Sequence, residues 1–104
     1  MTPPTPLHDL MALVGYLLLK WGHLESVLDG APVPPDLEPV RRLRNTLCHG
    51  LRNACADPER VPEPTLTCRL QTGEEVTYVS EDLAEAVRTL ERRIPDLDRR
   101  WRTR

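Results

Sequence analysis

The sequence predicts a mainly α fold: a helical hairpin or bundle of three or four helices, carrying one small β-hairpin and paired as a two-fold homodimer. Three observations lead there. Apolar residues recur at helical spacing in three separate stretches. Alternation with a period of two is confined to two short runs on either side of Thr72-Gly73. Finally, 104 residues with 39% hydrophobic residues and 11 prolines offer only a modest core, of the kind that gains burial by oligomerising.

Taken in order, residues 1–6 form an extended lead-in to a single domain that spans 1–104. Thr5 and Pro6 make an N-cap and first-turn pair. The first helix carries Leu7, Leu10, Met11, Val14, Leu17, Leu18, Trp21, Leu24 and Leu28 at helical spacing and ends near Asp29-Gly30. Gly15 and Gly22 sit beside that stripe and would let a neighbouring helix approach closely. Glu25 projects between Leu18, Trp21 and Leu28. Residues 30–39 hold four prolines and form a rigid linker, with Asp36 or Glu38 capping a second helix and Pro39 in its first turn. That helix continues through His49 and frays between Gly50 and Ala56; residues 57–64, with three prolines, form a loop. Residues 65–70 and 75–79 form a β-hairpin insertion, 65–79 in all. Ser80 caps a third helix with Glu81 and Asp82 in its first turn. Its stripe is Leu83, Ala86, Val87, Leu90, Ile94, Leu97 and Trp101, and Pro95 should kink or break it.

Composition narrows the function classes. A net charge of −2 predicts no general nucleic-acid affinity, but residues 88–104 carry seven Arg against three acids. That basic end, with Arg99, Arg100 and Arg102, can hold a phosphate backbone or be a solvated helix face. Cys48, Cys55 and Cys68 are odd in number and include no Cys-x-x-Cys pair, which fits a reducing compartment. The apolar run 10–19 is too short to span a bilayer and no basic leader precedes it, so a soluble, cytoplasmic protein with no membrane partner is expected. His8, His23 and His49 share no metal-ligand spacing, and no Gly-rich phosphate loop occurs; neither metal nor cofactor is expected. His8 and His23 read as surface or packing residues, and Cys48 as a small space-filler.

The residues with chemistry to offer lie at 40–52. At about 100° per residue, Val40, Leu43, Leu47, Leu51 and Ala54 fall on one arc, and Arg41, Asn45, Cys48, His49 and Arg52 on the adjoining polar one. Asn45 and His49, four apart, lie one above the other. Arg44 sits at the apolar edge, where a guanidinium needs an anion: a carboxylate or a phosphate. Two placements are open. Either Glu25 and Arg44 face each other across an antiparallel hairpin of the first two helices, or each snorkels to solvent. An imidazole can act as acid or base near neutral pH, a guanidinium can offset charge on a pentacoordinate phosphate, and Asn45 can orient either. These groups suffice for metal-free RNA cleavage, except that one His cannot be both acid and base. A two-fold dimer with the second helix near its axis would supply the other.

Arg44-Asn45-Thr46-Leu47-Cys48-His49 followed by Gly50 resembles the motif of the HEPN family of helical proteins, in which an Arg and a polar residue precede a His by four to six places. Trp21-Gly22-His23-Leu24-Glu25 resembles that family's earlier, acid-bearing helix. The likeness covers roughly residues 7–55, and the last helix more weakly. It implies a homodimeric, metal-independent endoribonuclease, as in toxins of toxin–antitoxin pairs, phage-defence proteins and CRISPR effector nucleases. Arg44 and His49 would then be catalytic with Asn45, Glu25 and Arg41 would support them, and Arg52, Arg99, Arg100 and Arg102 would hold RNA. An antitoxin or regulatory protein becomes a possible partner. Leu51, two places after His49, stands where toxins silenced by nucleotidylation carry Tyr, which disfavours that form of control. Two other classes stay open: a catalytically silent helical dimer that binds a partner protein or nucleotide, and a small nucleic-acid-binding module using the Arg-rich tail.

Overall fold

The computed structural model describes residues 6–55 and 64–102, apart from the side chains of residues 6, 55 and 99–102. Two 23-residue helices, α1 (Pro6–Leu28) and α3 (Ser80–Arg102), pack against each other. Between them in sequence come a single 3-10 turn (Pro35–Leu37), helix α2 (Glu38–Gly50) and strands β1 (Leu51–Cys55), β2 (Thr65–Arg69) and β3 (Glu75–Val79). The protein is mainly helical, with a small antiparallel sheet in the order β1-β2-β3.

The core follows from the helical stripes. Leu10, Leu17 and Leu24 of α1 meet Leu83 and Leu90 of α3, joined by Leu37 and Leu66, and all are fully buried. Leu66 and Cys68 point inward from β2, opposite the half-buried Tyr78 and Val76 of β3. Burial pushes the Cys68 thiol up from its ordinary value. The turn between β2 and β3 closes as the sequence predicts, with Gly73 at φ 93°, a left-handed conformation that glycine adopts freely.

Several expectations are corrected. Residues 51–55 are a strand and not the frayed end of a helix. Without β1, strand β2 would leave its backbone groups on that side unpaired, and Leu51, Asn53, Ala54 and Cys55 pair with it antiparallel. The helices do not form an α1–α2 hairpin, because α1 packs chiefly on α3 while α2 lies on β2 and the 3-10 turn. Neither Asp36 nor Glu38 caps α2: the N-cap is Leu37, with no side-chain cap. Asp36 lies within the 3-10 turn and binds Arg93 of α3 instead (Nε to Oδ2, 2.7 Å). At α3 the capping contact comes from Asp82, whose carboxylate accepts the Val79 N–H at 2.9 Å. The helix also runs unbroken through Pro95. Pro95 lacks an N–H for the Glu91 carbonyl, but both residues are exposed and water can serve. Cys48 is exposed and fills no space. The Thr5 cap lies outside the described residues, as does the side chain of Trp101.

Candidate functional site

Helix α2 carries a buried stripe of Val40, Leu43, Leu47 and Gly50, and its opposite side is left to polar residues. Gly50 decides how closely this helix meets the sheet. A Cβ there would lie 2.2 Å from the Arg69 carbonyl oxygen and 3.2 Å from its carbon, both backbone atoms that cannot give way. Helix α2 ends at Gly50, and Leu51 (φ −63°, ψ 121°) is already extended. The contact draws the last turn of α2 against the end of β2.

An open cleft of about 750 Å³ forms at that junction. Asn45, Thr46 and His49 line it from α2, Arg52 from β1, and Arg69, Leu70, Gln71 and Gly73 from the end of β2 and its turn. Among the described residues, two arginines and an imidazole line it and no carboxylate does. Arg69 has a nearby anion in Glu75 (3.5 Å), but both side chains are more than half exposed, so water screens the pair. Arg52 forms no ion pair with a described residue, and neither ring nitrogen of His49 has a described hydrogen-bond partner.

Arg44 is half-buried and stands at the edge of this cleft without lining it. Its NH1 donates to Asn45 Oδ1 at 2.9 Å, which leaves the Asn45 amide nitrogen as the group free to donate. The Arg44 Nε is buried and has no partner among the described residues, an unmet donor on a charged group. Of the two placements open for Arg44, the pair with Glu25 is not formed: Glu25 is exposed on α1 and, among the described residues, no ion pair reaches Arg44. Helix α1 packs chiefly on α3, and Glu25 stays exposed. Arg41 is also occupied elsewhere: Glu38 accepts from its Nε at 2.8 Å and from its NH2. That partner holds the Glu38 carboxyl below its usual range. The side chains of Arg99, Arg100 and Arg102 lie outside the described residues.

The structure thus brings Asn45, His49 and Arg52 together, keeps Arg44 in contact through Asn45, and leaves Glu25 and Arg41 out. It adds Arg69 and Gln71, which sequence reasoning missed. The only signal was an Arg beside a turn, and it gains meaning once β1 places that turn beside α2. Among the described residues no group of three or more His, Cys, Asp or Glu could hold a metal ion, and no helix is long and apolar enough to cross a membrane. Comparison with family models, curated proteins and solved structures finds no match to this chain.

Proposed function

We propose that this cleft binds the sugar-phosphate backbone of RNA and cleaves it without a metal ion. The observation that carries the reading is a donor-rich lining of Arg52, Arg69, His49 and Asn45 with no carboxylate among the described residues, beside an Arg44 whose buried Nε has no described partner. Such a set favours a polyanion. It includes the Arg44, Asn45 and His49 of the HEPN-like motif.

In this reading His49 takes the proton from a ribose 2′-OH, and the 2′-oxygen attacks the adjacent phosphorus. The bond from phosphorus to the 5′-oxygen breaks, leaving a 2′,3′-cyclic phosphate and a 5′-hydroxyl. Arg44 offsets charge on the phosphoryl oxygens with the NH2 that Asn45 does not hold, while Arg52 and Arg69 bind flanking phosphates. The 5′-oxygen needs a proton, and the cleft has a single imidazole. A homodimer presenting a second His49 supplies it. By its resemblance the protein would serve as a cytoplasmic toxin or phage-defence component under an antitoxin or regulatory protein. A second reading has its own observation: Arg44 does not line the cleft, so the site could bind a nucleotide or a phosphorylated partner and cleave nothing.

Incubation of mixed RNA with wild type and His49→Ala, in excess chelator, tests the proposal. Wild type should leave 2′,3′-cyclic phosphate ends and His49→Ala should lose at least about a hundredfold in rate, the usual worth of a general base. Equal cleavage by both would reject His49 as the base. Silence in both, with RNA or nucleotide binding that weakens in Arg52→Ala and Arg69→Ala, would establish the binding-only reading.

A further inference from the structure

The lining of the cleft divides into two chemistries. Arg52, Arg69 and His49 bring charge or a titratable ring, which suits phosphates. Leu70, Gln71 and Gly73, from the end of β2 and its turn, bring neither. A phosphate only accepts hydrogen bonds and has no apolar surface, so it has no use for a half-buried leucine or for an amide carbonyl. A nucleobase uses both: its face lies against apolar surface, and its edge carries donors and acceptors side by side. The cleft of about 750 Å³ falls within the about 300–1,000 Å³ of small-molecule sites, room for a base next to its phosphate.

Among the amides and hydroxyls of the cleft, Gln71 stands apart. The Oδ1 of Asn45 already accepts from Arg44 at 2.9 Å. The Thr46 hydroxyl donates to the Arg42 carbonyl at 2.8 Å, which leaves it only lone pairs to offer. Gln71 is exposed, and no described residue bonds its amide oxygen or nitrogen. Its backbone, by contrast, is fixed. The Gly73 N–H donates to the Leu70 carbonyl at 2.9 Å, the Leu70 N–H donates to the Glu74 carbonyl at 2.8 Å, and Gly73 holds φ 93°. Gln71 is the second residue of that turn, a position that Pro favours and where nothing in the backbone calls for a long amide. At Gly73 nothing lies within 4 Å of where a Cβ would stand, so the turn leaves room for a flat group beside it.

We infer that Gln71 reads the base of the nucleotide bound in the cleft, and that this base is an unpaired adenine. A carboxamide presents an N–H and a carbonyl oxygen together, and the match that follows from geometry is adenine, whose N6 donates and whose N7 accepts. In an RNA duplex those atoms sit in a deep, narrow major groove that side chains cannot read, so the adenine is unpaired. This assignment rests on the reading of the cleft as an RNA site, and it holds whether or not the strand is cut.

Fluorescence anisotropy with 2′-methoxy hexanucleotides of A, of C or of U tests it, because a blocked 2′-oxygen cannot attack and binding is read alone. Wild type should bind the A strand at least about fivefold more tightly than the other two, the lower end of what one bidentate base contact discriminates. Gln71→Ala should bring the three within about twofold of one another while keeping the circular dichroism of wild type, since the side chain is exposed. Gln71→Glu, which accepts from the N4 of cytosine, should shift the order toward the C strand. Arg52→Ala should weaken all three by a common factor, as loss of a phosphate contact does. Equal affinities in wild type, or an A preference that survives Gln71→Ala, would overturn the base reader and leave the RNA site standing. A preference for C or U would overturn the adenine assignment. Failure of all three strands to bind would overturn the RNA reading, and the base reader with it.

Discussion

Helices α1 and α3 are equally long and share one core, yet they differ on the side turned away from it. The outer side of α3 is a lattice of charges: Arg88 bonds Glu81 at 2.5 Å and Glu85 at 2.8 Å, and Arg93 reaches Asp36. The outer side of α1 exposes Met11, Tyr16, Leu18 and Leu19 around two open glycines. Charge in the first case keeps a surface in water; apolar area in the second calls for cover. The difference teaches that a folded chain can mark its own unfinished side, because nothing within the core requires Leu18 or Leu19.

The largest test of that contrast is the inner faces, which should be equivalent. Leu17→Ala and Leu90→Ala each empty a fully buried site and should each cost about 2–5 kcal/mol by urea unfolding. Leu19→Ala, on the open face, should change the monomer by less than about 0.5 kcal/mol. A large loss at Leu19 in dilute protein would break the comparison. Next come the glycines. Gly50→Ala drives a methyl into the Arg69 carbonyl and should cost about 1–3 kcal/mol, with the cleft distorted. Gly22→Ala meets open space and should stabilise the dilute monomer by about 0.5–1 kcal/mol through helix propensity.

The smallest effect concerns the charged side. The Arg93 hydrogen bond holds the Asp36 carboxyl below its ordinary 3.8. A depressed carboxyl pKa means the unfolded chain binds the proton more readily, so the contribution is complete above pH 3.8 and is lost as pH falls through the folded value. Asp36→Asn should flatten that segment of the stability–pH curve slightly and leave neutral pH nearly unchanged, since the pair is solvent-exposed. An unaltered acid limb would remove the pair from the account of how the 3-10 turn is tied to α3.

Much of the architecture was legible in the chain. Apolar spacing located all three helices, and alternation around Thr72-Gly73 located β2 and β3, because each pattern repeats with the period of its own backbone. The motif residues Asn45 and His49 were likewise recognisable four apart on one helix, and both line the cleft. Strand β1 was not legible: Leu51-Arg52-Asn53-Ala54-Cys55 extends the helical pattern of α2 as readily as it alternates, and only the unpaired side of β2 made it a strand.

What the sequence by itself determined was local: where each helix lies, the buried stripe of α3, and the presence of an Arg, an Asn and a His within one helix. Tertiary structure decided which surfaces meet. It turned α1 to α3, left Glu25 in solvent and Arg44 without its carboxylate, and brought Arg69 and Gln71 across from the β2–β3 turn. The physical reason is that periodicity fixes the direction of a side chain relative to its own element. The partner it then meets depends on how elements pack, and at the junction of α2 with β2 the missing side chain of Gly50 sets how closely they meet.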